Sequence, residues 1–277
     1  MTRIIGILNL TRDSFSDGGR FLDPAAAIAQ GREMIAAGAA VIDVGAESTH
    51  PDAESVPDAE QVARLAPVLE ALRGTGAALS VDAHRPRVIE AALARGATIV
   101  NDVTALRDEG AVRVVARSDA RVILMHARRH AAAGARAERI DAAAQDVAGE
   151  ALEFFRRRIA ELADAGIAPQ RLILDPGMGF FLSTRAQASA RMLAELGRLR
   201  ELGLPACISV SRKSFIGEIL GSAGVARPVS ERAAGTLACE IWAALQGVEF
   251  IRTHDVRALA DALAMLSAIR AASAQPD

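Results

Sequence analysis

The sequence predicts a single-domain (β/α)8 TIM barrel, and three observations carry that prediction. Eight short apolar runs recur along the chain, each of strand length. Each is followed by an Ala/Leu-rich stretch of helical period, and each ends, on its C-terminal side, in a cluster of polar residues. A doubly wound sheet would also alternate strand and helix. Eight units with no sign of a second domain favour the barrel, and 277 residues are enough to build it as one domain over 1–277.

The units follow in order. "RIIGIL" (3–8) precedes a helix at 24–37, and "AVIDVG" (40–45) precedes one at 57–73. "ALSVD" (78–82) leads to 86–95, "TIVN" (98–101) to 107–117, and "RVILMH" (121–126) to 144–165. "RLILD" (171–175) leads to 185–202, "ACISV" (206–210) to 229–246, and "EFIR" (249–252) to 255–271. The segment 127–143 reads as a surface loop running into a helix. The polar ends are Asn9 to Phe15, Glu47 to Pro51, Asp82 with His84, Asn101 with Asp102, His126, Asp175, Ser211 to Lys213, and Arg252 to Asp255. In a barrel these ends converge on one rim, where the active sites of such enzymes lie. One polar strand end is commonly a helix cap; eight of them exceed what capping requires.

Bulk composition narrows the class of function. A hydrophobic fraction of 51% with 24% charged residues is that of a globular chain with material for a core. A net charge of −2 gives no basic field for nucleic acid or an anionic membrane, and "RRR" at 156–158 reads as a solvated helix face. No apolar run approaches a membrane span, and the N-terminus passes straight into a strand-like run without a cleavage site. Cys207 and Cys239 sit in apolar surroundings and read as buried thiols of a cytoplasmic protein.

The basic residues are unevenly chosen. Of 32 Lys and Arg, only Lys213 is lysine; asparagine occurs only as Asn9 and Asn101, and tyrosine is absent. Surface lysines and asparagines exchange freely, so the survivors mark positions where a compact ammonium or an amide is needed.

The strand-end motifs "GILNLTRDSFSDGG", "DVGAESTHP", "SVDAHRP", "IVNDVTA", "LMHA", "LDPGMGF", "SVSRKSFIGE" and "IRTHDV" together resemble the successive signatures of the dihydropteroate synthase family, in order and spacing, from about residue 4 to 256. The resemblance implies a transferase of folate biosynthesis that joins p-aminobenzoate to 6-hydroxymethyl-7,8-dihydropterin diphosphate and expels pyrophosphate. It places Asp175 and Asn101 on the pterin edge, where an amide offers both donors and an acceptor. It places Asp82 across the ring and Lys213 against the pterin carbonyl and N5, with its stem near p-aminobenzoate. Ser211, Thr49 and Phe15 would meet p-aminobenzoate, with Thr49 and Phe15 on closing loops; Arg212, beside Lys213, is open to a structural pairing instead. Arg252, His254 and Asn9 would hold the pyrophosphate, with Asn9 also a ligand of Mg2+, and Lys213, Asp82, Arg252 and His254 would carry the catalysis. A planar guanidinium suits phosphate oxygens, and an aniline nitrogen needs no general base. A homodimer packed through outer, late helices is also implied.

The chain departs from the family pattern at Arg12, Ala46, His50, Ala83 and Ser209, at Ala127-Arg128-Arg129, and at Phe181-Leu182. Loss of the loop arginine at His50 removes a phosphate contact that Arg12 could replace in space, while Phe181 and Leu182 thicken one pocket wall. Two alternatives follow from these changes: a non-catalytic or altered-specificity pterin-binding paralogue, or a pterin-dependent methyltransferase module. The Ser-Arg-Lys and Arg-Thr-His-Asp motifs argue against the methyltransferase.

Overall fold

The computed structural model describes residues 2–11, 23–129, 136–141 and 145–273. The eight strands are β1 (Arg3–Asn9), β2 (Val41–Gly45), β3 (Ala78–Asp82), β4 (Ile99–Asp102), β5 (Arg121–Met125), β6 (Leu172–Asp175), β7 (Cys207–Ile208) and β8 (Phe250–Thr253). All pair in parallel in the order β6-β5-β4-β3-β2-β1-β8-β7. A single parallel bridge, Leu174 to Ala206, joins β6 to the start of the β7 segment and closes the barrel.

The helices are α1 (Pro24–Ala36), α2 (Asp58–Leu72), α3 (Pro86–Ala94), α4 (Glu109–Ala116), α5 (Val147–Asp164), α6 (Ala186–Ala194), α7 (Ser214–Leu220), α8 (Ala233–Leu245) and α9 (Val256–Ser273). Two begin later than their sequence pattern suggests because an aspartate caps them. Asp108 accepts from the Gly110 amide at 2.7 Å, and Asp146 from the Gly149 amide at 3.0 Å. The helix expected over 185–202 is broken: α6 stops at Ala194 and a 3-10 stretch, Leu196–Leu202, follows. Gly197 lies where that helix would have continued, and glycine weakens a helix interior. The helix expected from 229 starts at Ala233, after a 3-10 turn at Val229–Glu231. The motif "SFIGEIL" forms α7, a helix the periodicity did not indicate.

Strand period sorts the residues into two cores. Ile5, Val41, Ile99, Ile123, Ile173, Cys207 and Phe250 form one buried layer inside the barrel, with Ala78 of β3 packed against it. The alternate residues, among them Ile42, Val44, Val81, Val100, Leu174 and Ile251, join the helices in the larger outer core. The inner layer seals the lower half of the barrel, so the chemistry collects above it.

Candidate active site

Counting up five of the strands by twos from the apolar layer leads directly to polar residues. Val41 is followed by Asp43 and Gly45, Ala78 by Ser80 and Asp82, Ile99 by Asn101, Ile173 by Asp175, and Phe250 by Arg252. The same count places two of the polar residues outside the barrel, Asp102 beside the inward Asn101 on β4 and His126 after β5. Asp102 lies on the outward face of β4, where its carboxylate accepts from the Thr104 amide (2.7 Å), the Thr104 hydroxyl (2.8 Å) and the Leu106 amide (3.0 Å). His126 also points outward, against Phe154 and Phe155 of α5, with Nδ1 3.2 Å from the Pro176 carbonyl oxygen. Burial pulls its imidazole down to about 4. Both are structural groups, so the inference that all eight polar ends meet at one site is corrected by strand parity.

Arg252 spans the barrel mouth. Its Nε donates to Asp43 Oδ2 at 2.6 Å and its Nη2 to Asp82 Oδ2 at 2.8 Å, while Asn101 Nδ2 donates to the same Asp43 oxygen at 2.9 Å. Asp43 is fully buried, and its Oδ1 has no hydrogen-bond partner among the described residues. Burial lifts Asp82 to about 7, with Arg252 opposing and Asp43 adding to the rise. Burial also opposes the charge on Arg252, but the two carboxylates outweigh it and hold the guanidinium above its ordinary range. These contacts across the barrel engage Nε and Nη2 while Arg252 still lines the cavity.

Lys213 stands opposite, as the residue that opens α7. Its Nζ donates to the Met178 carbonyl at 3.2 Å and lies 5.3 Å from the centre of the Phe181 ring. Burial draws the ammonium down to about 8, opposed by the charge of Asp175. Asp175 is buried, and one oxygen accepts the Gly177 amide at 2.8 Å; burial raises this carboxyl, with Lys213 opposing. Gly177 has φ 73°, and a Cβ there would lie 2.1 Å from the His126 carbonyl oxygen. Gly179 has φ 65° beside the Lys213 stem, which a Cβ would meet at 3.4 Å. These glycines let the Asp-Pro-Gly-Met-Gly turn pass close under the lysine.

On the β7–β8 side, His254 donates its amide to Ser211 Oγ at 3.2 Å, and its Nδ1 is 2.9 Å from that oxygen. Burial, with help from Arg252, pushes His254 down to about 3, so it is neutral. Donation from the Ser211 hydroxyl to Nδ1 would leave the ring proton on Nε2.

Two adjoining lobes, about 680 and about 470 Å3, open above these groups and share Asn9, Thr49, His50, Ser211, Lys213 and His254 in their walls. Asp82 and Arg252 line the second lobe. Asn101 and Asp175 are nearly buried and line neither lobe; they lie beneath, among the strands. Phe15 and Arg12 lie outside the described residues.

The loop departures resolve differently from one another. His50 is exposed, with its ring 5.8 Å from Phe180 in an edge arrangement, and Arg139 lies 5.5 Å over that same phenyl ring. Phe180 and Phe181 line the larger lobe, but Leu182 is fully buried in the outer core and is no part of its wall. The 3-10 turn Gly179–Phe181 turns Leu182 inward. Arg128 forms a two-pronged pair with Glu150 of α5 at 2.6 and 2.7 Å. Arg212 is exposed, and its backbone is held from α8 and the turn before it. Sequence reasoning missed Asp43, Met178 and Phe180 as site groups; for Asp43 the signal was a lone carboxylate at an inward position of an otherwise apolar strand.

Comparison with known proteins agrees with this geometry. The family model described as "Pterin binding enzyme" matches residues 5–254. The chain is 44% identical over 268 residues to dihydropteroate synthase type-2 of Escherichia coli, covering 96% of each, and 42% identical to the dihydropteroate synthase of Neisseria meningitidis, covering 96% and 92%. Among solved structures it is similar to Xanthomonas albilineans dihydropteroate synthase with 4-aminobenzoic acid, at TM-score 0.85 and 40% identity, covering 98% and 93%. The expected fold, and the expected family over the methyltransferase alternative, are both upheld. With strands, pocket and relatives in agreement, the chain belongs to the dihydropteroate synthases, transferases among the pterin-binding enzymes.

Proposed function

We propose that the two lobes bind 6-hydroxymethyl-7,8-dihydropterin diphosphate and p-aminobenzoate, and that the residues named above carry the condensation. The observation that supports this most is the stacking of Asp175, Asn101, Asp43 and Asp82 just above an apolar layer, with Lys213 and Arg252 over them. A flat heterocycle with donors along one edge would find acceptors in the Asp175 carboxylate and the Asn101 amide oxygen. Lys213 would meet the ring carbonyl.

In the reaction the amine lone pair attacks the exocyclic methylene carbon. The C–O bond to the diphosphate breaks and its electron pair leaves with the diphosphate; the new secondary amine sheds one proton. Arg252, through Nη1, and neutral His254, through Nε2–H, would stabilise the departing oxygens. Asp82 would offset the positive character left on the pterin. Mg2+ would neutralise charge on the diphosphate when bound. Such an ion keeps several waters and takes one or two protein oxygens beside the substrate phosphates. Asn9, at the cavity wall and with no hydrogen-bonded side chain among the described residues, fits as one such ligand; no group of three His, Cys, Asp or Glu among the described residues forms a cage of its own.

A homodimer is supported by exposed Trp242 and Leu245 on α8 and Met265 and Ile269 on α9, more apolar surface than a solvated helix pair needs. No helix among the described residues is long and apolar enough to cross a membrane, and a cytoplasmic location is part of the same proposal.

The test is diphosphate release from the pterin diphosphate with Mg2+, measured with and without p-aminobenzoate. Release that requires p-aminobenzoate is expected. Release without it would mean a different nucleophile, and binding without release would mean that a non-catalytic paralogue is the right reading.

A further inference from the structure

Residues 210–213 make a tight turn, with the Lys213 amide donating to the Val210 carbonyl at 3.1 Å. The third position of that turn is Arg212, at φ 59°. Positive φ at this position normally calls for glycine or asparagine, and an ordinary side chain there costs on the order of 1–3 kcal/mol unless its surroundings hold it. The kink separates two site residues: it directs Ser211 to His254 and delivers Lys213 over Met178.

Two side chains outside the turn grip its peptide groups. Thr236, buried in α8, accepts the Arg212 amide at 3.0 Å on Oγ1. Arg232, just before α8, donates from Nη1 to the Arg212 carbonyl at 3.0 Å. Arg232 is itself pinned, with Nε and Nη2 donating to the Arg227 carbonyl at 2.9 and 2.8 Å. Space for that clamp is left by Gly217 of α7, where a Cβ would lie 2.4 Å from Arg232 Nε and 2.7 Å from the Arg227 carbonyl oxygen.

We propose that Thr236 and Arg232 are positioning residues, which hold Arg212 in its left-handed turn and thereby place Lys213 and Ser211. Gly217 belongs to the same device as the residue that makes room for it. The proposal rests on the reading of Lys213 as a site residue.

A double-mutant cycle on kcat tests it. Thr236→Val keeps the shape and removes the acceptor. Its kcat is expected to fall about 5- to 100-fold, the equivalent of releasing the turn, while Thr236→Ser retains most of it. Glycine holds positive φ unaided, so in the Arg212→Gly background the penalty of Thr236→Val should shrink to under about twofold. Arg232→Met should behave in the same way, and carries the test if Thr236→Val does not fold. Because burial lowers the Lys213 ammonium to about 8, a swung-out lysine also moves the alkaline limb of kcat upward in Thr236→Val. Equal penalties in both backgrounds, or no penalty in either, would overturn the proposal. Failure of the underlying reading looks different: Lys213→Met would then keep its turnover.

Discussion

Asp43→Asn is the most informative single change at the barrel mouth. The substitution preserves shape and removes one of the two carboxylates that flank Arg252. Asp43 is fully buried and its Oδ2 serves both Arg252 and Asn101, at 2.6 and 2.9 Å. Losing a partner from a buried pair costs about 3–5 kcal/mol when the remaining charge is stranded. Here Arg252 keeps Asp82 at 2.8 Å, so the cost falls to that of a charge-assisted hydrogen bond, about 2–3 kcal/mol. The unpartnered Asp43 Oδ1 gives no relief, because an amide nitrogen in its place is an unpaired donor. For a chain of this size, that corresponds to a drop in melting temperature of roughly 4–12 °C. Asp43 also helps to raise Asp82 to about 7; without that charge Asp82 ionises at lower pH, and the acidic limb of kcat moves down. Scanning calorimetry and a pH series of diphosphate release read both effects. A melting temperature within about 1 °C of wild type, with an unmoved acidic limb, would refute the assignment of Asp43 as the anchor of the network.

Other changes probe separate parts of the molecule. Lys213→Met and Asp175→Asn should each abolish turnover while leaving the far-ultraviolet spectrum and the melting cooperativity intact; normal turnover in either removes it from the site. Gly177→Ala places a Cβ 2.1 Å from a backbone oxygen at φ 73°, and should yield little soluble protein or a loss above about 3 kcal/mol. Phe181→Leu takes the ring away from the Lys213 ammonium. A cation–π contact of about 1 kcal/mol favours the charged form, so the alkaline limb should fall by roughly half a unit to one unit. His126 titrates at about 4 when folded, from an ordinary 6.5. The unfolded chain therefore takes up the proton first as pH falls, and stability drops between about 6.5 and 4. His126→Gln should remove up to about 3 kcal/mol of that pH-dependent loss in urea melts; identical pH dependence would contradict the buried, neutral assignment.

Much of this was legible because barrel strands are short and obey a period of two. The eight runs and their helices could be read from apolar spacing, and Lys213, Asn9 and Asn101 from their isolation in an arginine-rich composition. What spacing could not give was contact across the barrel. Asp43 and Arg252 are 209 positions apart, and nothing local to either says that they meet. Parity does say that Asp102 and His126 face outward, a signal present in "IVND" and "RVILMH" that polarity at a strand end does not convey by itself. Leu182 was misjudged because a 3-10 turn rotates the chain by a third of a turn per residue, which a motif boundary does not reveal. Helix α7 was missed because seven residues around a glycine give little periodicity to detect.

The single bridge between Leu174 and Ala206 has a consequence for how the molecule could be taken apart. Asp175 and Lys213 belong to the two margins of that join, so substrate that touches both would act as a stitch across the weakest edge of the cylinder. Ligand binding should therefore slow hydrogen exchange at the amides of 172–175 and 206–210 more than at the doubly paired strands. New chain ends are best cut elsewhere, since opening the cylinder at this edge would unmake the pocket while leaving most of the sheet standing.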